Sequence, residues 1–215
     1  MTPRRRSDGP HDDLLASMSD GVGVVVPGAR FRRAGPADAE TVAELHADSW
    51  RRHYRGAYSD EFLDGDVHAD RLAVWTARLS EPDPRRCTIL AVDGGVVGFA
   101  NTFFDDDPTW GALLDNLHVA ERHRRQGMGS CLLALTAEAV LAQRETAGLY
   151  LWVLEQNVDA QAFYESLGAR REGREPVSAP GGIASRIVGS PKKLRYAWQE
   201  PSVLIERAQA IGSGA

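Results

Sequence analysis

Within the 215 residues, the segment Arg124-x-x-Gly127-x-Gly129 stands between a run that reads as a strand, ending near Val119, and a run that reads as a long helix, opening near Gly127. Position gives this segment its meaning. The first main-chain N–H groups of a helix have no partner inside it and point along the positive end of the helix dipole. A strand that enters a helix through glycines is therefore a ready anion site, suited to a pyrophosphate. Glycine at 127 and at 129 removes the Cβ that would hold phosphate oxygens away from the main chain. Arg122, His123, Arg124 and Arg125 add positive charge where an anion would arrive.

Two familiar phosphate loops are excluded. No Gly-Lys-Ser/Thr follows, so this is not a Walker loop. The third glycine of a Rossmann fingerprint is missing, and the strands before the turn read as antiparallel. Spacing alone also fits an ordinary glycine turn with a solvated basic face, so the surrounding elements must decide.

Residues 29–34 read as a first strand, and Gly35-Pro36-Ala37-Asp38 stops it and starts a helix of about four turns, with Val42, Leu45, His46, Ser49 and Trp50 at helical spacing. A break near Gly56 and Asp60, a second short helix and a helical piece over 71–79 follow. Residues 88–92 and 96–100 are β-rich runs joined by Asp93-Gly94-Gly95, a hairpin signal. After a turn over 105–109, residues 113–119 read as a third strand. An amphipathic helix over 127–144, a buried strand over 149–154, a helix over 160–167 ended by Gly168, and closing strands near 183–188 and 194–198 complete the order. The fold class is an α/β (α+β) mixture, with a mostly antiparallel sheet flanked by helices. No internal repeat is visible.

The chain is long enough for one well-packed domain. Residues 1–28, rich in Pro, Gly, Ser and Asp, read as a flexible extension, 29–200 as the domain and 201–215 as a C-terminal tail. Hydrophobic residues make up 43% and charged residues 26%, as in globular proteins. A net charge of -5 gives no global basic field for nucleic acid. Cys87 and Cys131 suffice for neither a disulfide framework nor a zinc site, which fits a reducing cytoplasm. No apolar run approaches the length of a signal peptide core or a membrane span. No metal is expected.

Separate motifs in order resemble the GNAT acetyltransferase superfamily over residues 29–198. Leu117-x-Val119 followed by Arg124-x-x-Gly127-x-Gly129 is similar to that family's coenzyme A signature. Trp152-Val153-Leu154-Glu155-Gln156-Asn157 and Ala160-x-x-Phe163-Tyr164-Glu165-x-Leu167-Gly168 resemble its second motif. Ser49-Trp50-Arg51-Arg52-His53-Tyr54-Arg55 resembles the first-helix region of a common bacterial branch. The resemblance implies a cytoplasmic N-acetyltransferase with acetyl-CoA as cosubstrate and a small-molecule or peptide amine as acceptor, working by direct attack in a ternary complex. It also implies a wedge where two parallel strands, ending at Val119 and running over 149–154, splay apart. Leu117, His118 and Val119 would meet the pantetheine arm by their main chain. Arg124, Arg125, Gln126, Gly127, Met128, Gly129 and Ser130 would hold the pyrophosphate, and Asn157 would touch the arm from the opposite side. Dimers are common in that family, so the resemblance leaves a homodimer open, and the sequence itself does not give the oligomeric state.

Chemistry fills in the rest. An amine attacks only when uncharged, so a base or a water chain must remove its proton. The thioester carbonyl oxygen needs a donor, for which the Val119 N–H is a candidate. The leaving thiolate needs a proton, and the family role carried onto Tyr164 is that general acid; a tyrosine packed under the sheet is the competing reading. For the base, many relatives have a glutamate where Leu113 aligns here. Asp115 is the substitute candidate, on one strand face with Leu113, Leu117 and Val119 if no bulge intervenes; a salt-bridged strand residue is the alternative. Glu155 and His118 are further candidates. Trp50, Tyr54 and Tyr58 either line an acceptor pocket or belong to the core. Leu at 113 also leaves room for a non-catalytic acyl-CoA sensor, and a nucleotide-binding protein is a third reading.

Overall fold

The computed structural model describes residues 26–143 and 148–213. Seven strands form one sheet in the order β1-β2-β3-β4-β5-β7-β6: β1 (Arg30–Arg33), β2 (Arg86–Val92), β3 (Val96–Asp107), β4 (Gly111–Val119), β5 (Leu149–Leu154), β6 (Arg170–Pro176) and β7 (Lys192–Trp198). Asp93-Gly94-Gly95 closes the β2–β3 hairpin, with Gly94 at φ 66. All neighbours are antiparallel except β4 and β5. The mixed, mostly antiparallel sheet expected from the sequence is therefore the one observed.

Helices cover both faces. On one lie α1 (Ala39–His53), α2 (Asp60–Asp64) and α3 (Val67–Leu79); α4 (Met128–Gln143) packs on the other. The remaining helices are α5 (Val158–Ser166) and α6 (Ser202–Ser213). Contrary to the amphipathic expectation, α4 is buried nearly all round, from Met128 through Val140. The reason is α6, which the sequence reading left as a tail: Leu204 and Ala208 enter the main core, and α6 packs along α4. A helix sandwiched between a sheet and a second helix has no wet face and needs no polar stripe.

Three other expectations change. Residues 183–188 do not form a closing strand; a 3-10 turn at Ala184–Arg186 and a single bridge from Ile187 to Tyr58 strap this segment across the end of α1. Its β-branched residues mimic a strand, but its main chain bonds to residues 57–59 (Val188 N–H to Ala57 O at 2.9 Å, Ser59 N–H to Arg186 O at 3.0 Å). A strand without a sequence signal is β6, whose residues are nearly all exposed. An edge strand bare on both sides needs no apolar alternation, and charge pairs hold it: Arg174 to Glu155 at 2.8 Å and Glu175 to Arg195 at 3.3 Å. At the other end Val26 is buried in the main core, so packing begins three residues before Ala29. The rest of the expected extension, residues 1–25, lies outside the described residues.

The feature that positions the site is in β4. Thr102 of β3 pairs with Leu114 and Asn101 with Asn116, leaving Asp115 as an extra residue. This bulge changes the strand's parity. Ala112 and Leu114 face the α4 side before it, and Leu117 and Val119 face the same core after it. The expected shared face of 113, 115, 117 and 119 therefore does not exist; Asp115 turns toward α3 instead. A bulge bends its strand. β4 pairs with β5 only from Ala112 to Leu114, against Leu149 to Leu151, and beyond that the two parallel strands share no pairing.

Candidate active site

The separation of β4 from β5 opens a cavity of about 530 Å³, within the range of small-molecule sites. Leu114 to Val119 form one wall and Leu151 to Leu154 the other. The turn before α4 closes one end, with Arg124, Arg125, Gly127, Gly129 and Ser130 at the surface of the cavity. Asn157, Ala160, Phe163 and Tyr164 of α5 and its cap line the β5 side, and Ser49, His53 and Tyr54 at the end of α1 line the far end.

The turn fits an anionic ligand. Among the described residues, the amides of residues 125–130 have no hydrogen-bond acceptor; the first bond of the helix is Cys131 N–H to Gly127 O at 3.0 Å. Gly127 has φ 84, and Arg125 has φ 60, a left-handed conformation unusual for a side-chain-bearing residue. A Cβ on Gly129 would lie 3.2 Å from Phe163 Cζ. The chain thus accepts backbone strain and leaves a row of donors bare at one end of the cavity, as a phosphate cradle requires.

The other end is polar but largely uncharged. Tyr164 is buried, with its ring 6.4 Å from that of Tyr196 and 6.2 Å from that of Trp198. Burial pushes its hydroxyl pKa up, so it stays a protonated donor. Its hydroxyl has no hydrogen-bond partner among the described residues. Tyr54 is raised in the same way, first by burial and then by Tyr58 and Tyr164. Burial lowers His53, with the nearby Arg124 acting in the same direction. His118 falls to about 3, again through burial first and then through His53 and Arg71. Its Nδ1 lies 2.7 Å from Ser49 Oγ.

Asp115 lines the cavity, but its carboxylate is 2.7 Å from Arg78 Nη1, which also meets Asn116 Oδ1 at 3.2 Å. Glu155 is exposed toward β6 in its pair with Arg174 and lies outside the cavity lining.

Most of the site residues read from the sequence meet in this one cavity: Leu117, His118, Val119, Arg124, Arg125, Gly127, Gly129, Ser130, Asn157, Tyr164, Asp115 and Tyr54 all line it. Four do not. Gln126 is exposed and donates to Arg122 O at 3.0 Å, and Met128 is core, so only their main chain faces the turn. Trp50 and Tyr58 belong to a second core cluster with Phe62 and Leu63. The sequence reading gave no role to Ser49, His53 or Phe163. Ser49 and His53 are four residues apart and share a helix face with the aromatic stripe, which drew attention away from them.

Comparisons with known proteins agree with this geometry. A family model described as the acetyltransferase (GNAT) family matches residues 41–169. The chain is 28% identical over 144 residues to the uncharacterized N-acetyltransferase YuaI of Bacillus subtilis, covering 65% of this chain and 79% of that one. Among solved structures, the PaiA N-acetyltransferase of Thermoplasma acidophilum, in complex with coenzyme A, superposes with a TM-score of 0.57 at 21% identity, over 79% of this chain and 99% of that one. Arabidopsis thaliana NAA60, in complex with a bisubstrate analogue, gives 0.54 at 18%, over 79% and 97%. The matched segment spans α1, the β4 turn and α5, more than half of the chain, and the protein belongs to the GNAT acetyltransferase family.

Proposed function

We propose that this protein is an N-acetyltransferase that moves the acetyl group of acetyl-CoA to a primary amine, by direct attack while both substrates occupy the cavity. The observation that carries the reading is the row of unpartnered amides over residues 125–130, at the mouth of a wedge whose far wall holds Tyr164. Similarity in fold to a structure solved with coenzyme A and to one solved with a bisubstrate analogue supports it.

In this reading the cosubstrate supplies an activated acyl carbon, and the chain does the rest. Amides of residues 125–130 hold the pyrophosphate, with the Arg124 and Arg125 side chains beside them; the Arg124 amide itself is spent on Glu121 O at 3.2 Å. Main-chain groups of Leu117, His118 and Val119 and the side of Asn157 flank the pantetheine arm. Tyr164 donates its hydroxyl proton to the departing thiolate. Tyr54 lines the acceptor end, with Trp50 and Tyr58 supporting it from the core: the Trp50 and Tyr54 rings stack at 5.2 Å. The acceptor is a small-molecule or peptide amine. Cys87 and Cys131, both buried and neither in a disulfide, support a reducing cytoplasmic setting.

One observation favours the rival reading, a non-catalytic acyl-CoA sensor: the only acidic side chain of β4 is tied to Arg78. Thiol release from acetyl-CoA across a broad amine library, with the product identified by mass, separates the two. The enzyme reading expects stoichiometric thiol and an acetylated amine for at least one structural class. Saturable acetyl-CoA binding with no amine-dependent release from any class would overturn it in favour of the sensor.

A further inference from the structure

Asp115 is committed to Arg78, so the fate of the acceptor's proton must be sought elsewhere on the cavity wall. Two groups touch each other there: Ser49 Oγ, from the last turn but one of α1, and His118 Nδ1, from β4, at 2.7 Å. Both line the cavity. The pair is firmly held. The His118 ring packs against His46 at 4.8 Å and Phe99 at 5.2 Å between centroids. His46 is itself fixed, because fully buried Trp75 donates its Nε1–H to His46 Nδ1 at 3.0 Å.

We infer that the Ser49–His118 pair is the proton acceptor of the transfer reaction, with Ser49 touching the acceptor nitrogen and His118 acting through Ser49 as a positioning residue. This rests on the acetyltransferase reading above. Ser49 Oγ takes a proton from the acceptor nitrogen after that nitrogen has bonded to the acyl carbon, and the hydroxyl proton of Ser49 passes to His118 Nδ1. Tyr164 gives its proton to the thiolate as the carbon–sulfur bond breaks. Imidazolium and phenolate then return to neutral through cavity water, so one proton leaves nitrogen and one reaches sulfur.

A weakly basic imidazole suits this order of events. His53 of α1 and Arg71 of α3 act on His118; its ring partner His46 is next to Arg71 and Arg78 as well, and Asp115, Tyr54 and Tyr164 line the same cavity. In this setting His118 is too weak a base to deprotonate a free ammonium ion. Once the nitrogen has added to a carbonyl carbon it becomes far more acidic, and a weak base suffices. Amines must then arrive already uncharged, and the acidic limb of the pH–rate profile belongs to the acceptor and to no enzyme group.

The test uses the full chain, acetyl-CoA and three probe amines of increasing basicity: trifluoroethylamine, glycinamide and benzylamine. Thiol release is followed against pH in wild type, Ser49→Ala, His118→Gln and the double variant, with acetyl-CoA affinity measured by calorimetry in each. The inference expects kcat/KM to fall roughly 10- to 100-fold in each single variant, and no further in the double variant, because the two residues act as one unit. Acetyl-CoA affinity stays the same, and the acidic limb in wild type moves with the basicity of the amine. Wild-type rates in Ser49→Ala, additive losses, or a limb fixed at one pH for all three amines would overturn the pair while leaving the enzyme reading intact. No release by the wild type from these three or from any class of the broad amine library would overturn both. If His118→Gln does not fold, Ser49→Ala and the wild-type pH series decide.

Discussion

Arg78 Nη1 sits 2.7 Å from Asp115 Oδ2, so α3 grips β4 at its bulge through a partly buried ion pair. The same guanidinium lies 5.2 Å from the Trp75 ring and 5.3 Å from that of Phe103, which fixes its position. The pair shapes the wedge: it keeps Asp115 turned away from the row that Leu117 and Val119 occupy.

We propose that a carboxylate held in this way serves as a support for β4 and leaves the base to another group. Asp115→Asn is expected to leave kcat within about tenfold of wild type with acetyl-CoA affinity unchanged, whereas removal of a general base costs on the order of 10² to 10⁴. Steady-state kinetics with any accepted amine checks this, and a loss above a hundredfold in kcat would restore Asp115 to the chemistry.

Tyr164→Phe keeps the ring that packs on Trp198 and removes only the hydroxyl. Packing and acetyl-CoA affinity should hold, and kcat should fall by roughly 10- to 100-fold, the low end for a general acid because a thiolate leaves readily. The loss belongs in kcat with little change in the KM for acetyl-CoA, as for an interaction made mainly in the transition state. Equal rates in the two proteins, with chemistry shown to limit turnover, would leave thiolate protonation to water.

Away from the cavity, Glu138 on α4 has a buried Oε2 without a hydrogen-bond partner among the described residues, and burial raises its pKa to about 7 from 4.5. The folded state therefore binds this proton more tightly than the unfolded chain. The stabilisation is complete below about pH 4.5, shrinks as pH rises, and is gone above about pH 7. Glu138→Gln should raise Tm near pH 8 and alter it little near pH 4.5. An equal shift at both ends, read by thermal unfolding, would show that Glu138 does not titrate in this window.

The parts legible in the sequence were those whose local chemistry repeats in the fold. Asp93-Gly94-Gly95 makes its hairpin, and Gly127 and Gly129 open α4 where the turn residues said a helix should start. The parts that were not legible depend on what packs from elsewhere. Whether α4 has a wet face is decided by α6, sixty residues on. β6 carries no pattern because neither of its faces is covered. The bulge at Asp115 leaves no mark in Leu-Leu-Asp-Asn-Leu, since a one-residue slip against β3 is a property of the pairing and not of either strand alone. Trp50, Tyr54 and Tyr58 illustrate the same limit: helical spacing put three aromatics on one side, and only Tyr54 reaches the cavity.

If the turn before α4 holds the pyrophosphate of acetyl-CoA, calorimetric titration of acetyl-CoA into wild type, Gly127→Val and Gly129→Val reads it out. At 127 the substitution places a β-branched side chain at φ 84, and at 129 it crowds Phe163 and covers the bare amides. Folding should largely survive in both, as judged by thermal unfolding. Saturable one-to-one binding in wild type, weakened about tenfold or more in each variant, is the expected result. Unchanged affinity in both folded variants would move the pyrophosphate away from this turn.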